Sequence, residues 1–305
     1  MAQNNNNAPI KKGWYYNLSY AQRTALWGII FLLPWLIGFI FFMVKPIIEL
    51  VIYSFSDVTI MAGGQEVAAV GWSNYEYVLT QHSTYYQLLL TNLAEAIPSL
   101  ILILVFSLIL AIILNGRFSG RAVFRAIMFI PIIMATDALS NVVGGAQAQM
   151  MQTSQGDSLT GVGFLAQFIA DAFPTSEIAT GLLAAVSGIF ETVLLSGVQT
   201  LIFLGGLQAI SPTLYEVAKI EGSTAYETFW KVTLPMISPL ILVAAVYTLA
   251  DHFMRSPVVE LAYTTAFRNS DFGYSAAMSV IYLLVSVLTI GIISFLISRK
   301  VFYYD

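Results

Sequence analysis

The sequence predicts an all-α membrane protein with six transmembrane helices, and two observations carry that prediction. The chain has 305 residues, of which 58% are hydrophobic and only 10% are charged. A water-soluble domain of this length cannot bury so much apolar surface. The apolar residues also form long runs, and a run of about 20 residues is the length that crosses a bilayer as a helix.

Six runs are predicted to span the membrane. They lie at residues 25–44, 97–114, 123–143, 182–204, 240–254 and 276–297. No small-residue cleavage site follows the first run, so it is predicted to be a retained helix and not a signal peptide. Residues 1–24 are predicted to form a cytoplasmic tail ending in an interfacial segment rich in Trp and Tyr, and residues 25–305 to form one membrane domain.

The basic residues predict the orientation of the chain. Ten of the 13 Lys and Arg residues fall on the same side as the N-terminus, and Lys45, Arg255 and Arg268 fall opposite. Because cytoplasmic loops carry the excess of Lys and Arg, both termini are predicted to be cytoplasmic. The loop between the fourth and fifth spans, at 211–235, is then cytoplasmic, and the segments at 45–90 and 144–180 face outside.

Several kinds of site are missing from the sequence. There is no cysteine, which excludes disulfides, thiolate metal sites and a cysteine nucleophile. The only histidines, His82 and His252, make a zinc site improbable. No GxxxxGK[ST] run occurs, so the chain has no phosphate-binding loop of that type. We therefore expect no metal, no cofactor and no nucleotide on this chain.

The loop at 211–235 carries the signals of two short helices joined by a glycine turn. Ser211 can cap a helix whose first residue is a proline. Gly222 can end that helix in the left-handed conformation. Thr224 and Glu227 fit the T-x-x-E capping box of a second helix, predicted to end near Pro235. Such a segment is either a rigid knob for a partner or a solvated interfacial loop.

This loop resembles the EAA motif of the permease subunits of binding-protein-dependent ABC importers, which reads E-A-A, three residues, G, nine residues and I-x-L-P. The likeness is greatest to the carbohydrate-uptake type, whose signatures resemble VGWSNY at 70–75 and further stretches at 110–131 and 266–281. The residues that match the EAA motif in register are Glu216, Ala218, Gly222, Leu234 and Pro235.

The resemblance implies a type I ABC importer permease fold with a cytoplasmic coupling helix. It implies a transport subunit, not an enzyme, in the cell membrane of a prokaryote. The partners implied are a second permease in a heterodimer, two ATPase subunits that hold ATP and Mg, an extracytoplasmic binding protein that delivers a sugar or oligosaccharide, and membrane lipid, with no nucleic acid. The residues implied to couple to the ATPase are Glu216, Ala218, Lys219, Glu221, Gly222, Leu234 and Pro235.

Polar residues inside the fourth and fifth spans predict a path for the solute. Ionisable groups inside a span cost roughly 2.5–3.5 kcal/mol on insertion scales, so they indicate a function. Four polar residues of the fifth span, from Thr248 to Arg255, share one helical face because they are spaced i, i+3, i+4 and i+7. The resemblance implies a sugar site in this region. The candidates are Glu191 and Gln199 in the fourth span and Thr248, Asp251, His252 and Arg255 in the fifth.

Other interpretations of these residues stay open at this point. Asp251 and Arg255 are spaced i, i+4 and can form an internal ion pair. The same importer can carry a polyol, a phosphodiester or another non-sugar solute. Asp251 and His252 can also act as the relay of a proton-coupled transporter, and with Glu191 they can serve an intramembrane enzyme. The six predicted spans show no evident inverted repeat, which argues against a secondary transporter.

Overall fold

A computed structural model describes residues 19–61, 64–116, 192–193 and 195–302 of the chain, and the side chains of 23 and 60–65 are not included. Helices make up most of this part. They are α1 (Tyr20–Phe39), α2 (Lys45–Ser54), α3 (Ser73–Glu76), α4 (Ser83–Asn115), α5 (Gly197–Ala209), α6 (Pro212–Ile220), α7 (Ala225–Thr228), α8 (Leu234–Met254), α9 (Pro257–Phe267) and α10 (Phe272–Ser298). The two strands are β1 (Ser56–Met61) and β2 (Gly64–Ala69).

Four helical stretches among the described residues are long and apolar enough to cross a membrane. They are Tyr20–Ser54, Ser83–Asn115, Ala225–Phe267 and Phe272–Ser298. A fifth is counted if α5 and α6, which meet at a bend of 66°, form one span. These stretches confirm apolar helices at the predicted first, second, fifth and sixth spans. The predicted span at 123–143, the segment at 144–180 and residues 182–191 lie outside the described part, so the count of six stays a prediction.

The first two spans extend further than the hydropathy predicted. A π turn at Ile40–Val44 joins α1 to α2, and the helix continues to Ser54. Pro46 does not end it, because the wider π turn directly before α2 accommodates the proline ring and the missing N–H. The helix α4 begins at Ser83, which is 14 residues before the predicted start at 97. Much of the predicted outer segment at 45–90 is therefore helical.

One compact unit contains the described parts of residues 1–82 and 262–281. Its hairpin pairs β1 with β2 antiparallel, with Val58 opposite Val67. The Nδ2 of Asn74 donates hydrogen bonds to the carbonyl oxygens of Ser54, at 3.0 Å, and Ser56, at 2.9 Å. This buried amide therefore fixes the start of the hairpin against α3.

The same unit brings together two of the stretches that carried the family resemblance, 70–75 and 266–281. A Cβ added to Gly273 would overlap the carbonyl oxygen of Ser56 and lie 3.0 Å from the Nδ2 of Asn74. Tyr77, two residues after the first stretch, stacks on Tyr274 with ring centroids 4.4 Å apart. A glycine at 273 is therefore required by the close approach of backbone at that point.

The second unit, the described parts of residues 83–261 and 282–305, is built on α4, α5 and α8. The buried residues of its core are Ala111, Leu114, Phe203, Leu204, Leu207, Ile210, Ile237 and Ala244. Gly206 lets α5 approach α8 closely, since an added Cβ would overlap the Cδ1 of Leu240. A glycine at a helix–helix contact permits close packing of the two backbones.

The second helix of the loop does not end near Pro235, contrary to the prediction. α7, a π turn at Phe229–Thr233 and α8 follow one another without a break, and Pro235 lies in the first turn of α8. A proline lacks an N–H and its ring displaces the carbonyl of the residue four positions earlier. The wider π turn directly before it accommodates both effects, so the chain passes from the loop into the span as one helix.

Candidate functional site

A cavity of about 470 Å³ lies in the second unit between α4, the residues just before α5, and the end of α8. Its apolar wall includes Leu102, Ile103 and Leu195. Its polar lining among the described residues is formed by Asn92, Glu95, Ser99, Thr192, Thr248, Asp251, His252, Arg255 and Ser256. A concave site with apolar walls and a few convergent polar groups is the usual form of a small-molecule site.

All four residues of the predicted polar face of the fifth span line this cavity. Thr248, Asp251 and His252 lie on α8, and Arg255 follows directly at its C-terminal cap. The shared face therefore follows from helical spacing, as predicted. Contact of these residues with a solute stays a prediction.

Asp251 and Arg255 form the ion pair that the sequence left open. The Nε of Arg255 donates to both carboxylate oxygens of Asp251, at 3.0 Å each. The Arg255 side chain is 54% exposed and that of Asp251 is 22% exposed. Pairs this accessible typically contribute about 0.3–0.5 kcal/mol. Pairing and a place on the cavity wall are thus compatible, because both partners line the cavity.

A buried polar network fixes one side of the cavity. The Nε2 of His252 lies 3.1 Å from the backbone oxygen of Asn92 and 3.2 Å from its Nδ2. The hydroxyl of Tyr282 donates to Oδ1 of Asn92 at 3.0 Å and to the carbonyl of Phe253 at 2.8 Å. Asn92 therefore connects α4 with α8 and α10 through side chains whose hydrogen bonds are expensive to leave unmade.

Gln199 is not among the described residues that line the cavity. It is buried at the contact of α5 with α8, where its Nε2 donates to Thr248 Oγ1 at 2.9 Å. Thr248 in turn donates to the carbonyl of Ala244 at 2.7 Å. The Oε1 of Gln199 is buried and has no hydrogen-bond partner among the described residues. Glu191, the other candidate in the fourth span, lies outside the described residues.

Three cavity residues on α4 were not among the sequence candidates. Asn92, Glu95 and Ser99 are spaced i, i+3 and i+7, the same kind of face that identified the candidates on α8. Because the second span was predicted to start at residue 97, Asn92 and Glu95 fell outside the predicted span. A search for polar faces that ignored the predicted span limits would have found them.

The loop at 211–235 has the local geometry that its sequence predicted. The Ser211 side chain accepts a hydrogen bond from the Thr213 backbone N–H and caps α6. Gly222 has φ +77°, the left-handed conformation that glycine adopts at little cost. Thr224 and Glu227 form the reciprocal capping box at the start of α7. Each cap satisfies backbone groups that a helix end leaves unpaired.

The seven predicted coupling residues fall into two groups. Glu216, Lys219, Glu221 and Gly222 are exposed. Ala218 is only 7% exposed, and Leu234 packs on the core of the second unit, as do Leu214 and Tyr215 of α6. Pro235 is partly buried at the start of α8. The buried and partly buried residues thus hold the loop against the core of the second unit, and the exposed residues stay accessible from solvent.

Apolar side chains are exposed beside the charged residues of this loop. Ile220 is 85% exposed and Tyr226 is 72% exposed. Val217 and Trp230 are each at least half exposed. An exposed apolar cluster rimmed by polar residues marks a site of protein or membrane contact. Among the described residues, no group of three or more His, Asp or Glu side chains is placed to hold a metal ion.

No family model matches the chain. Over 95% of its length it is 28% identical to the arabinooligosaccharides transport system permease protein AraP of Bacillus subtilis, and it covers 93% of that protein. It is 29% identical to the trehalose/maltose transport system permease protein MalF of Thermococcus litoralis, over 75% of this chain and 74% of the relative.

A solved structure agrees in fold. A chain of the bacterial alginate ABC transporter, solved in complex with an alginate pentasaccharide-bound periplasmic protein, matches with a TM-score of 0.65 at 18% identity, covering 92% of this chain and 96% of that one. With the apolar helices described above, these matches make the chain a multi-pass membrane protein. The chain is thus similar over most of its length to carbohydrate-uptake permeases of ABC transporters, and it shares the fold of an ABC transporter chain.

Proposed function

We propose that this chain is a permease subunit of an ATP-driven importer and forms half of the path for a sugar or oligosaccharide that an extracytoplasmic binding protein delivers. The observation that carries the proposal is the loop at 211–235, in which the EAA residues stand in register on a capped helix, a left-handed glycine and a second capped helix. The names of the relatives support a sugar as the solute.

The complete assembly that we propose has six spans in this chain, both termini in the cytoplasm and a second permease as its heterodimeric partner. Two ATPase subunits bind ATP and Mg and carry out the hydrolysis, and this chain is a transport subunit without enzymatic activity of its own. The excess of Lys and Arg on the N-terminal side supports the orientation. The extracytoplasmic protein would meet the segments at 45–90 and 144–180.

In this proposal α6 is the coupling helix. Its solvent-exposed residues include the carboxylate of Glu216 and the apolar side chains of Val217 and Ile220. A charged hydrogen bond surrounded by apolar contact is what a specific protein interface needs. Leu214 and Tyr215 pack on the core of the second unit, so a force on α6 is transmitted to the spans and does not merely bend a loop.

The cavity between α4 and α8 is proposed as part of the solute path. Sugar hydroxyls both donate and accept hydrogen bonds, and the cavity offers carboxylates, an amide and hydroxyls at Asp251, Glu95, Asn92, Ser99 and Thr248. A polar stripe within apolar spans is tolerated where it lines water. Asp251 is paired with Arg255 and His252 contacts Asn92, so neither contact joins Asp251 to His252 as a proton relay would require.

The test is purification of the native complex in mild detergent, followed by ATP-dependent uptake in proteoliposomes. We expect a second permease, an ATPase and a solute-binding protein to copurify. Glu216→Lys should abolish uptake while the chain stays in the membrane, because reversal of the charge opposes docking of α6. Glu216→Asp, which keeps the charge, should retain a large part of the uptake. A stable lone chain without an ATPase, or full uptake by Glu216→Lys, would reject the coupling role.

A further inference from the structure

We propose that the cavity between α4 and α8 selects against anionic solutes and admits neutral or amine-bearing ones. The assignment of this cavity to the solute path rests on the proposed function, but its charge preference rests on the geometry alone. The preference separates neutral oligosaccharides from uronic-acid sugars and phosphodiesters, which the sequence left undivided.

The charges of the described lining do not balance. They are two carboxylates, Glu95 and Asp251, and one guanidinium, Arg255. Arg255 is already paired, since its Nε donates to both oxygens of Asp251 at 3.0 Å. No Lys or Arg in the described part of the chain lies within ion-pair distance of Glu95. The described lining of the cavity therefore carries one negative charge that no described cation balances.

The neutral part of the lining does not offset this charge. Asn92 and Ser99 stand on the same face of α4 as Glu95 and bring an amide and a hydroxyl. His252, opposite them on α8, has its Nε2 directed at Asn92. The apolar side chains of Leu102 and Ile103 also line the cavity. Low-dielectric walls around a charged cleft focus its field on whatever enters.

The consequence for a solute follows from the chemistry of a carboxylate, which accepts hydrogen bonds and cannot donate them. Glu95 can receive the O–H groups of a neutral sugar, or the N–H groups of an amino sugar with a charge-assisted bond. A uronate or phosphate group brought to the same place has no donor to offer and is repelled. Two like charges about 4 Å apart repel each other even in water.

The absence of cysteine from the sequence allows this potential to be measured directly. Ser99→Cys places one thiol on the cavity wall. Ser83→Cys places a control thiol at an exposed position at the start of the same helix, ~24 Å away at 1.5 Å per residue. The probes are two methanethiosulfonates of similar size, one with a trimethylammonium group and one with a sulfonate. In each reaction the thiolate forms a disulfide and a sulfinate leaves.

The measured quantity is the ratio of the cationic to the anionic rate constant, in native membranes that contain the assembled complex. The ratio cancels the reactivity of each thiol. We expect it to be at least about tenfold larger at Ser99→Cys than at Ser83→Cys. Adding Glu95→Gln, which keeps the size and removes the charge, should bring the ratio at Ser99→Cys to within about threefold of the control.

Equal ratios at the two reporters, or a larger anionic rate at Ser99→Cys, would overturn the proposal. So would a large cationic preference that Glu95→Gln leaves unchanged. The comparison of the two reporters decides the question even if Glu95→Gln does not reach the membrane. A failure of ATP-dependent uptake with the cationic preference intact would reject the importer and keep the cavity charge, so the two failures are distinguishable.

Discussion

Gly222→Ala should weaken the loop at 211–235 through backbone conformation alone. Gly222 has φ +77°, and an added Cβ would meet nothing within 4 Å. The substitution therefore creates no clash, and its cost is that of holding an L-residue in the left-handed region, about 1–2 kcal/mol. We expect the free energy needed to open the turn between α6 and α7 to fall by that amount.

Gly205→Ala is the matched control. Gly205 lies within α5, and an added Cβ there also meets nothing within 4 Å. In a helix interior alanine is more stable than glycine by about 0.5–1 kcal/mol. The same chemical change, a single methyl group in open space, is thus expected to have opposite signs at Gly222 and Gly205, because only Gly222 has a positive φ.

The assay is thermal unfolding of each purified variant in detergent, together with hydrogen exchange of the amides of α6. Gly222→Ala should lower the midpoint and speed exchange in α6, and Gly205→Ala should leave exchange in α6 unchanged and raise the midpoint. If Gly222→Ala were as stable as Gly205→Ala, with unchanged exchange, the left-handed turn would not hold the loop and the reasoning would be refuted.

Two further predictions concern the contact of α5 with α8. Gly206→Ala should lower the free energy of unfolding by about 1–3 kcal/mol, and with it the thermal midpoint, because its Cβ would overlap Leu240 Cδ1. Stabilisation like that of Gly205→Ala would contradict the close packing. Thr248→Val should lower the free energy of unfolding by about 1–3 kcal/mol, because it leaves the buried Nε2 of Gln199 unpaired. The double variant with Gln199→Leu and Thr248→Val removes both polar groups and should lower it by less. Equal unfolding free energies for the single and double variants would show that leaving the Gln199 amide unpaired carries no penalty.

Local signals in the sequence predicted local structure well. The caps at Ser211 and Thr224 and the left-handed turn at Gly222 depend on residues within a few positions of each other, so their pattern can be read directly. The face formed by Asp251 and its neighbours followed from helical spacing in the same way. The apolar runs predicted the positions of four long helices, because length and hydropathy are also properties of one segment.

Features that depend on distant segments were missed. Asn92 and Glu95 lowered the hydropathy of α4, so the helix was predicted to start too late, although a polar cavity formed with α8 makes both residues acceptable there. Pro235 was expected near a helix end, and the π turn before it is not encoded by any single residue type. The hairpin of β1 and β2 was not predicted, and its start is tied to Asn74, 18 residues after Ser56.

The unbroken helix from α7 through the π turn to α8 joins the loop at 211–235 directly to the cavity. From Thr228 to Asp251 there are 23 steps along the chain, or ~35 Å at 1.5 Å per residue. If such a rod turns by ~10° about its middle, its ends move by ~3 Å in opposite directions. If the rod stays rigid through the π turn and Pro239, a displacement at the loop reaches the ion pair of Asp251 and Arg255 with its direction reversed.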